Sequence, residues 1–328
     1  MEVFTVVITD WTGTENDLEA DVLQGSGLAI NLEKGNSTDP RELVEHVAGA
    51  DALIVQYASI DRSLIEALTR CRVISRYGIG VDMIDVDAAT EHGIPVANVR
   101  DFCIDEVSTQ TIGFLIDLAR HTFALHEHVR AGRWGATPPT CSPPLRLKGQ
   151  TIGVVGLGSI GRVVASKAAC LGLRVVSTDP FVRPEQAREV GAELVDLDEL
   201  VQCSDYVSLH CPLIPETRGL ISTERLAAMK PTAYLINMAR GPVVDQRALY
   251  TALVKGTIAG AALDVLEQEP PQPDDPLLRL DNVIITPHTS SWSVEAYTEL
   301  RRETAQNVVD VLQGRRPRSV VNSRGLGL

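Results

Sequence analysis

Short apolar runs alternate with amphipathic segments along almost the whole chain. The first runs are VFTVVIT, LAINL, ALIVQY, RVISRY and IPVANV, within residues 3–99. Each is about the length of one strand. Between them lie segments with helical spacing, such as DPRELVEHVAGA and DRSLIEALTRC. Each opens on an aspartate, Asp39 or Asp61, whose carboxylate suits the unpaired N–H groups of a first helical turn. Near-continuous apolar strands joined by helical crossovers predict a parallel sheet covered on both faces. Residues 1 to about 99 therefore read as one complete doubly wound unit.

A long helical pattern follows, DEVSTQTIGFLIDLARHTFALHEHVRAG, from about 105 to 132, and then a Pro-rich loop, ATPPTCSPPLRLKG. After it the alternation restarts with TIGVVG, LRVVSTD, AELV, DYVSLH, AYLINMA, GAALDV and NVIITP. These predict a second parallel sheet of at least six strands. The segment SVEAYTELRRETAQNVVDVLQG predicts one more amphipathic helix, and the tail SRGLGL is expected to fray.

The second sheet opens on TIGVVGLGSIGR, residues 151–162. A buried strand runs into Gly156, Gly158 and Gly161, and a helix follows. Gly156 permits the tight turn, Gly158 lets backbone approach a pyrophosphate, and Gly161 lets the helix pack on the strand. Free N–H groups at the helix start, including those of Ser159 and Ile160, suit a diphosphate. The next strand ends in Asp179, 18 residues beyond Gly161. A carboxylate there accepts from a ribose 2′-hydroxyl and repels a 2′-phosphate, which favours NAD; the plainer reading makes it a helix cap before Pro180. The motif lies in mid-chain because a second α/β domain precedes it. The last helix then crosses back to the first domain, and two crossings make a hinge with a ligand cleft beside it. The expected fold is α/β with two doubly wound parallel sheets: a flavodoxin-like substrate domain of residues 1–100 and 290–328, and a Rossmann NAD-binding domain of residues 101–289.

The chain has 328 residues, 44% of them hydrophobic and 22% charged, enough for about two cored domains. Its formal net charge of -13 argues against nonspecific nucleic-acid or anionic-membrane partners. The start, MEVFTVVITD, lacks the basic and apolar regions of a signal peptide, and no run is long enough to span a bilayer. Cys71, Cys103, Cys141, Cys170, Cys203 and Cys211 are scattered without a CxxC pair, as expected for reduced thiols in a cytoplasmic protein.

Three strand ends of the second sheet carry polar residues where a core needs none. INMARG places Arg240 after one strand, ALDVLEQEP places Asp264 and Glu269 after another, and IITPHTSSW places His288 after the last. Carboxyl ends of parallel strands face the ligand crevice. Arginine binds a carboxylate and polarises a neighbouring carbonyl, imidazole moves a proton, and a carboxylate orients the imidazole. With NADH as hydride donor, such a set reduces a 2-oxo acid to a 2-hydroxy acid.

With these residues assembled, the sequence resembles the D-isomer-specific 2-hydroxyacid dehydrogenase family over essentially its whole length. The matching stretches are GLGSIG (156–161), HCPLIPET (210–217), INMARG (236–241), DVLEQEP (264–270) and TPH (286–288). The resemblance implies that Arg240 is the substrate-binding catalytic arginine, Glu269 the partner of the base and His288 the acid/base. It places Asp264 near the nicotinamide carboxamide, and His210 and Thr217 on the adenosine side. Thr111, Met238, Ala239, Arg240 and His288 join them at the cofactor. YGIGVDMID (77–85) resembles the loop whose backbone N–H groups hold the substrate carboxylate, which involves Gly78, Ile79 and Gly80. The closest sub-patterns, RDFCIDEVSTQT and GRRPRSVVN, are of C-terminal-binding-protein and phosphoglycerate-dehydrogenase type. Two departures stand out. Gln56 occupies a position that is commonly Arg in phosphoglycerate enzymes, and Ser291 occupies one that is aromatic in binding-protein members, with Trp292 one place later. No regulatory domain is expected after residue 328.

The remaining candidates are weaker. His121, His126 and His128 in HTFALHEH do not converge on one helix, so no metal is expected and a solvated or interface face is the simpler reading. The resemblance favours a homodimer through this helix. Arg100, Tyr57 and Trp292, with Gln56, are candidates to meet the far end of the substrate, which predicts a small 2-oxo acid with a second anionic group such as carboxylate, phosphate or phosphonate. Two other functions stay open: an NAD(H)-sensing dimer that binds protein partners, and a formate- or phosphite-type oxidoreductase.

Overall fold

The central apolar runs become strands here because their side chains are buried on both faces, with crossover helices carrying the polar positions outward. The computed structural model describes residues 2–11, 17–134 and 144–328. Residues 136–143 of the Pro-rich stretch, Cys141 among them, lie outside these. The chain divides into two compact units, Met1–Cys103 with Ser293–Leu328, and Ile104–Trp292.

The first unit runs β1 (Val3–Ile8), α1 (Leu18–Gly25), β2 (Ala29–Lys34), α2 (Pro40–Val47), β3 (Ala52–Val55), α3 (Arg62–Ala67), β4 (Val73–Arg76), α4 (Val86–Glu91) and β5 (Val96–Ala97). Its five strands are parallel in the order β2-β1-β3-β4-β5, the flavodoxin-like arrangement. Asp39 and Asp61 cap α2 and α3, accepting from Arg41 N and Leu64 N at 2.9 Å each. Such a cap is worth about 1 kcal/mol.

The second unit begins with α5 (Ile104–Arg120) and α6 (Thr122–Arg130), two helices where the periodicity predicts one. The break is His121, which is left-handed at φ 54. Asp117 Oδ1 takes the Phe123 N–H at 2.7 Å and so caps a new first turn. A local side-chain acceptor competes with helix continuation, and hydrophobic spacing alone does not reveal it. The unit continues with β6 (Thr151–Val155), α7 (Ser159–Cys170), β7 (Arg174–Thr178), α8 (Pro184–Glu189), β8 (Ala192–Leu194), α9 (Leu197–Cys203), β9 (Tyr206–Leu209), α10 (Thr223–Ala228), β10 (Tyr234–Asn237), α11 (Gln246–Val254), β11 (Gly260–Leu263) and β12 (Val283–Ile285). All seven strands are parallel, in the order β12-β11-β10-β9-β6-β7-β8. The order reverses between β6 and β9, the Rossmann switch point. The core beneath it includes Val207, Leu209, Leu235 and Leu263, all 2% exposed or less. Burying one such side chain contributes about 1.5–3 kcal/mol.

The chain then returns to the first unit. In α12 (Val294–Leu312), Ala305, Val308, Val309 and Leu312 pack with Phe4, Val6 and Ile8 of β1. Arg301 of the same helix pairs with Glu19 of α1, with its Nε 2.7 Å from Glu19 Oε1 and both side chains buried. Tyr77 OH donates to the same carboxylate at 2.8 Å. Beyond α12, Val320 bridges Ala97 antiparallel and Asn322 Oδ1 accepts from Val96 N at 2.9 Å. The tail, expected to fray, forms a helical turn, α13 (Ser323–Leu326), because the Asn322 amide also holds Ile94 O and Thr90 Oγ1.

Candidate active site

The glycine turn between β6 and α7 has the shape that the sequence demands. Gly156 adopts φ +91, and a Cβ there would lie 2.9 Å from Cys211 N; a Cβ at Gly161 would lie 2.1 Å from Gly156 O. Gly158 faces open space and is the N-cap of α7, so no side chain caps the N–H groups of Ser159, Ile160 and Gly161. A turn open only to glycine, beside an uncapped helix terminus, fits the diphosphate of NAD. Asp179 follows β7. Its Oδ2 accepts from Leu157 N at 2.8 Å and its Oδ1 from Phe181 N at 2.9 Å. Helix α8 begins only at Pro184, so Asp179 is not its cap. Two backbone bonds hold this carboxylate at the glycine turn and leave lone pairs for ribose hydroxyls.

Other cofactor candidates serve first as scaffold. Thr217 Oγ1 donates to Pro212 O at 2.6 Å and accepts from Ile214 N at 2.9 Å, which shapes the HCPLIPET turn. Thr111, buried in α5, donates to Val107 O at 2.7 Å. Met238 and Ala239 are buried in the turn after β10. The His210 ring is half-buried, with Nδ1 enclosed, and meets Ser208 Oγ through Nε2 at 2.8 Å. Burial pulls its pKa down to about 3, so it is neutral.

Arg240, Glu269 and His288 are brought together by loops that leave three neighbouring strands. After β10, the buried Asn237 accepts from Ala239 N through Oδ1 and donates to Arg240 O through Nδ2, both at 3.0 Å. This clamps the turn that presents Arg240, whose Nη1 donates to Ala239 O at 2.8 Å. The next residue, Gly241, packs so closely that a Cβ would lie 1.9 Å from Leu266 O. That contact sets Arg240 beside the segment carrying Glu269. Glu269 Oε1 accepts from Leu266 N at 2.9 Å, and Oε2 lies 2.7 Å from His288 Nδ1. Burial raises the Glu269 carboxyl, but the His288 hydrogen bond and charge, the Leu266 N–H and the charge of Arg240 outweigh it and hold the group below the usual carboxylate range. With Nδ1 on a carboxylate, His288 keeps its hydrogen there and leaves Nε2 for proton transfer.

Asp264, expected at the cofactor, spends its buried carboxylate on the loop that carries His288. It accepts from Thr286 Oγ1 at 2.6 Å, Thr289 N at 3.0 Å and Ser290 N at 3.1 Å, and its carbonyl accepts from His288 N at 2.8 Å. His288 is left-handed at φ 54, a conformation that costs a residue other than glycine energy and persists only where the surroundings impose it. Sequence reasoning missed Asn237 and Gly241. The available signal was a buried amide at a strand end and a glycine directly after a functional arginine.

Within the first unit, Asp10 follows β1 and accepts from the backbone N–H groups of Gln56, Tyr57 and Ala58, which fixes the loop after β3. Gly78 has φ +120, and the Arg76 guanidinium lies across it, 1.8 Å from where a Cβ would be. Tyr57 is 60% exposed, and Arg100 is exposed and makes no ion pair among the described residues. Trp292, at the end of the second unit, is 73% exposed. Among the described residues, no group of three or more His, Cys, Asp or Glu side chains is arranged to hold a metal ion, and no helix is long and apolar enough to cross a membrane.

Residues 112–290 match the family model described as D-isomer specific 2-hydroxyacid dehydrogenase, NAD binding domain. The chain is 40% identical over 293 residues to a D-3-phosphoglycerate dehydrogenase of Methanocaldococcus jannaschii, covering 89% of this chain but 55% of that protein. It thus spans about half the length of this relative. It is also 40% identical over 282 residues to a glyoxylate reductase of Korarchaeum cryptofilum, covering 85% of each. A solved structure of D-lactate dehydrogenase from Aquifex aeolicus, complexed with NAD and lactic acid, superimposes with a TM-score of 0.85 at 29% identity, covering 94% of this chain and 96% of that one.

Proposed function

The chain belongs to the D-isomer specific 2-hydroxyacid dehydrogenase family, whose chemistry is the NAD-dependent interconversion of 2-oxo and 2-hydroxy acids, and on that premise we propose how its own residues carry the reaction. The observation that carries the reading is the His288–Glu269 pair at 2.7 Å with Arg240 beside it. Bound NADH supplies the hydride. Arg240 binds the substrate carboxylate and polarises the 2-oxo group. In the first unit, the Ile79 and Gly80 N–H groups are donors for a substrate carboxylate. His288 Nε2 gives a proton to the carbonyl oxygen as carbon 2 is reduced to the D-2-hydroxy acid, and takes it back in the reverse direction. Glu269 holds the ring and stabilises imidazolium. The intact pair favours chemistry over a sensing-only module. Cys71, Cys170, Cys203 and Cys211 are free thiols, which fits a cytoplasmic setting.

The substrate is a small 2-oxo acid with a second anionic group, met by Arg100 of the first unit, with Gln56 and Tyr57 shaping the remainder. The test is a screen of 2-oxo acids with NADH and NADPH, followed by loss of cofactor absorbance. NADH should be preferred because Asp179 repels a 2′-phosphate. Arg100→Ala should lower kcat/KM for a dianionic acid by roughly tenfold to a hundredfold, as for one charge-assisted hydrogen bond, and leave pyruvate nearly unchanged. An equal fall for both acids removes Arg100 from substrate selection. Oxidation of formate or phosphite, with no 2-oxo acid reduced, would replace this reading.

The protein works as a homodimer through the α5–α6 face. Helix α6 buries none of its residues, and Phe123 and Trp134 are 60% and 91% exposed. Phe123 lines a cavity of about 590 Å³ with both signs of charge, Asp117, Glu127 and Asp281 with Arg133. A face with both signs suits a second copy about a two-fold axis. Sedimentation should give a dimer for the parent and a monomer for Phe123→Glu combined with Trp134→Glu; a monomeric parent would remove the interface.

A further inference from the structure

The loop Gly78-Ile79-Gly80 is tied down by two bonds from one short stretch of chain. Val99 N donates to Gly78 O at 3.0 Å, and Asn98 Nδ2 donates to Ile79 O at 2.6 Å. In a trans peptide, a carbonyl oxygen and the amide hydrogen of the next residue point in opposite directions. Holding Gly78 O therefore turns the Ile79 N–H away from the Asn98–Val99 stretch. Holding Ile79 O turns the Gly80 N–H away as well. Among the described residues, neither N–H donates a hydrogen bond. Two adjacent donors are thus presented together on one side of the loop.

The Asn98 amide is itself oriented. It is buried, and Ser319 Oγ donates to its Oδ1 at 2.6 Å. Ser319 lies in the stretch that docks antiparallel beside β5, and its carbonyl accepts from Asn98 N at 3.4 Å. A hydroxyl on Oδ1 leaves Nδ2 to face Ile79 O. The reversed amide would set two oxygens against each other.

We propose that Asn98 is a positioning residue for substrate binding: it aims the Ile79 and Gly80 N–H groups at the substrate carboxylate, and Ser319 fixes the Asn98 amide for that task. The inference rests on the reading of those N–H groups as a carboxylate grip. Asn98 touches no reacting atom, so its loss acts on substrate affinity rather than on turnover.

The test is steady-state kinetics on the full chain with NADH and the best 2-oxo acid, with NADH affinity from fluorescence titration. Asn98→Asp has nearly the same shape but cannot donate to Ile79 O. It should raise KM roughly tenfold, the equivalent of about 1.4 kcal/mol, with kcat and NADH affinity within about twofold. Ser319→Ala should raise KM about threefold, and Ser319→Thr, which keeps the hydroxyl, should restore it. Gly80→Pro removes one of the two donors outright and tests the underlying reading. A raised KM in Gly80→Pro with a normal KM in both Asn98→Asp and Ser319→Ala overturns the role of Asn98 alone. A normal KM in Gly80→Pro overturns the carboxylate grip and the inference with it. KM, kcat and NADH affinity worsening together in Asn98→Asp would make Asn98 a general structural residue and also overturn the proposal.

Discussion

Replacing His288 by alanine should lower kcat by about 10²–10⁴-fold, the usual contribution of a positioned general acid or base, while NADH affinity stays within about twofold. The backbone of this residue is held by Asp264 O, and its ring is held by Glu269 through Nδ1. Alanine leaves the glycine turn and Asp179 untouched, so a near-normal kcat would remove His288 from the chemistry. Glu269→Gln should act in the same direction through pH. The parent carboxyl lies below the usual carboxylate range, so the ion pair is present above that low pKa and is lost as pH falls through it. Glutamine keeps a hydrogen bond but removes the charge that favours imidazolium. Reduction needs the protonated ring, so the alkaline limb of its pH–rate profile should move to lower pH. A profile superimposable on the parent's would contradict the pairing.

Gly241→Ala should lower kcat/KM by about a hundredfold with the fold intact. The added Cβ would lie 1.9 Å from Leu266 O and 2.3 Å from Glu267 N, both backbone atoms with no side-chain freedom to yield. The turn bearing Arg240 and the segment bearing Glu269 must then separate by on the order of 1 Å, and a misplacement of that size can cost ~10²-fold. Gly49→Ala, where a Cβ meets nothing within 4 Å, is the control. NADH titration and circular dichroism should match the parent for both variants. Parent-like kinetics in Gly241→Ala would mean that the two segments adjust freely.

Among the described residues, eleven of the twelve strands lie within runs readable from hydrophobic spacing, because central parallel strands buried on both faces carry an almost uninterrupted apolar signal; the edge strand β2 overruns LAINL by Glu33 and Lys34, polar positions that a partly exposed edge tolerates. Arg240, Glu269 and His288 were legible for the complementary reason: each is a charged or titratable group at the end of such a run. The break at His121 was not legible, since it depends on the Asp117 side chain capping a second helix. Nor was the use of Asp264. Its position at a strand end matches that of a ligand-facing acid, and only the path of residues 286–290 around it shows where its lone pairs go. Asn98 and Ser319 lie 221 positions apart, joined by a hydrogen bond, a separation that no local pattern encodes.

The division of the chain also bears on biosynthesis. Residues Met1–Cys103 leave the ribosome first, but the sheet they form is covered by a helix that begins at Val294. Until then β1 lacks Ala305, Val308 and Val309 against it, and the Glu19 carboxylate lacks Arg301. A buried charge deprived of its partner costs about 3–5 kcal/mol, so the early segment stays open while Ile104–Trp292 is added. At roughly 5–20 residues per second that interval is on the order of ten to forty seconds. The segment made first is therefore the last to receive its covering helix.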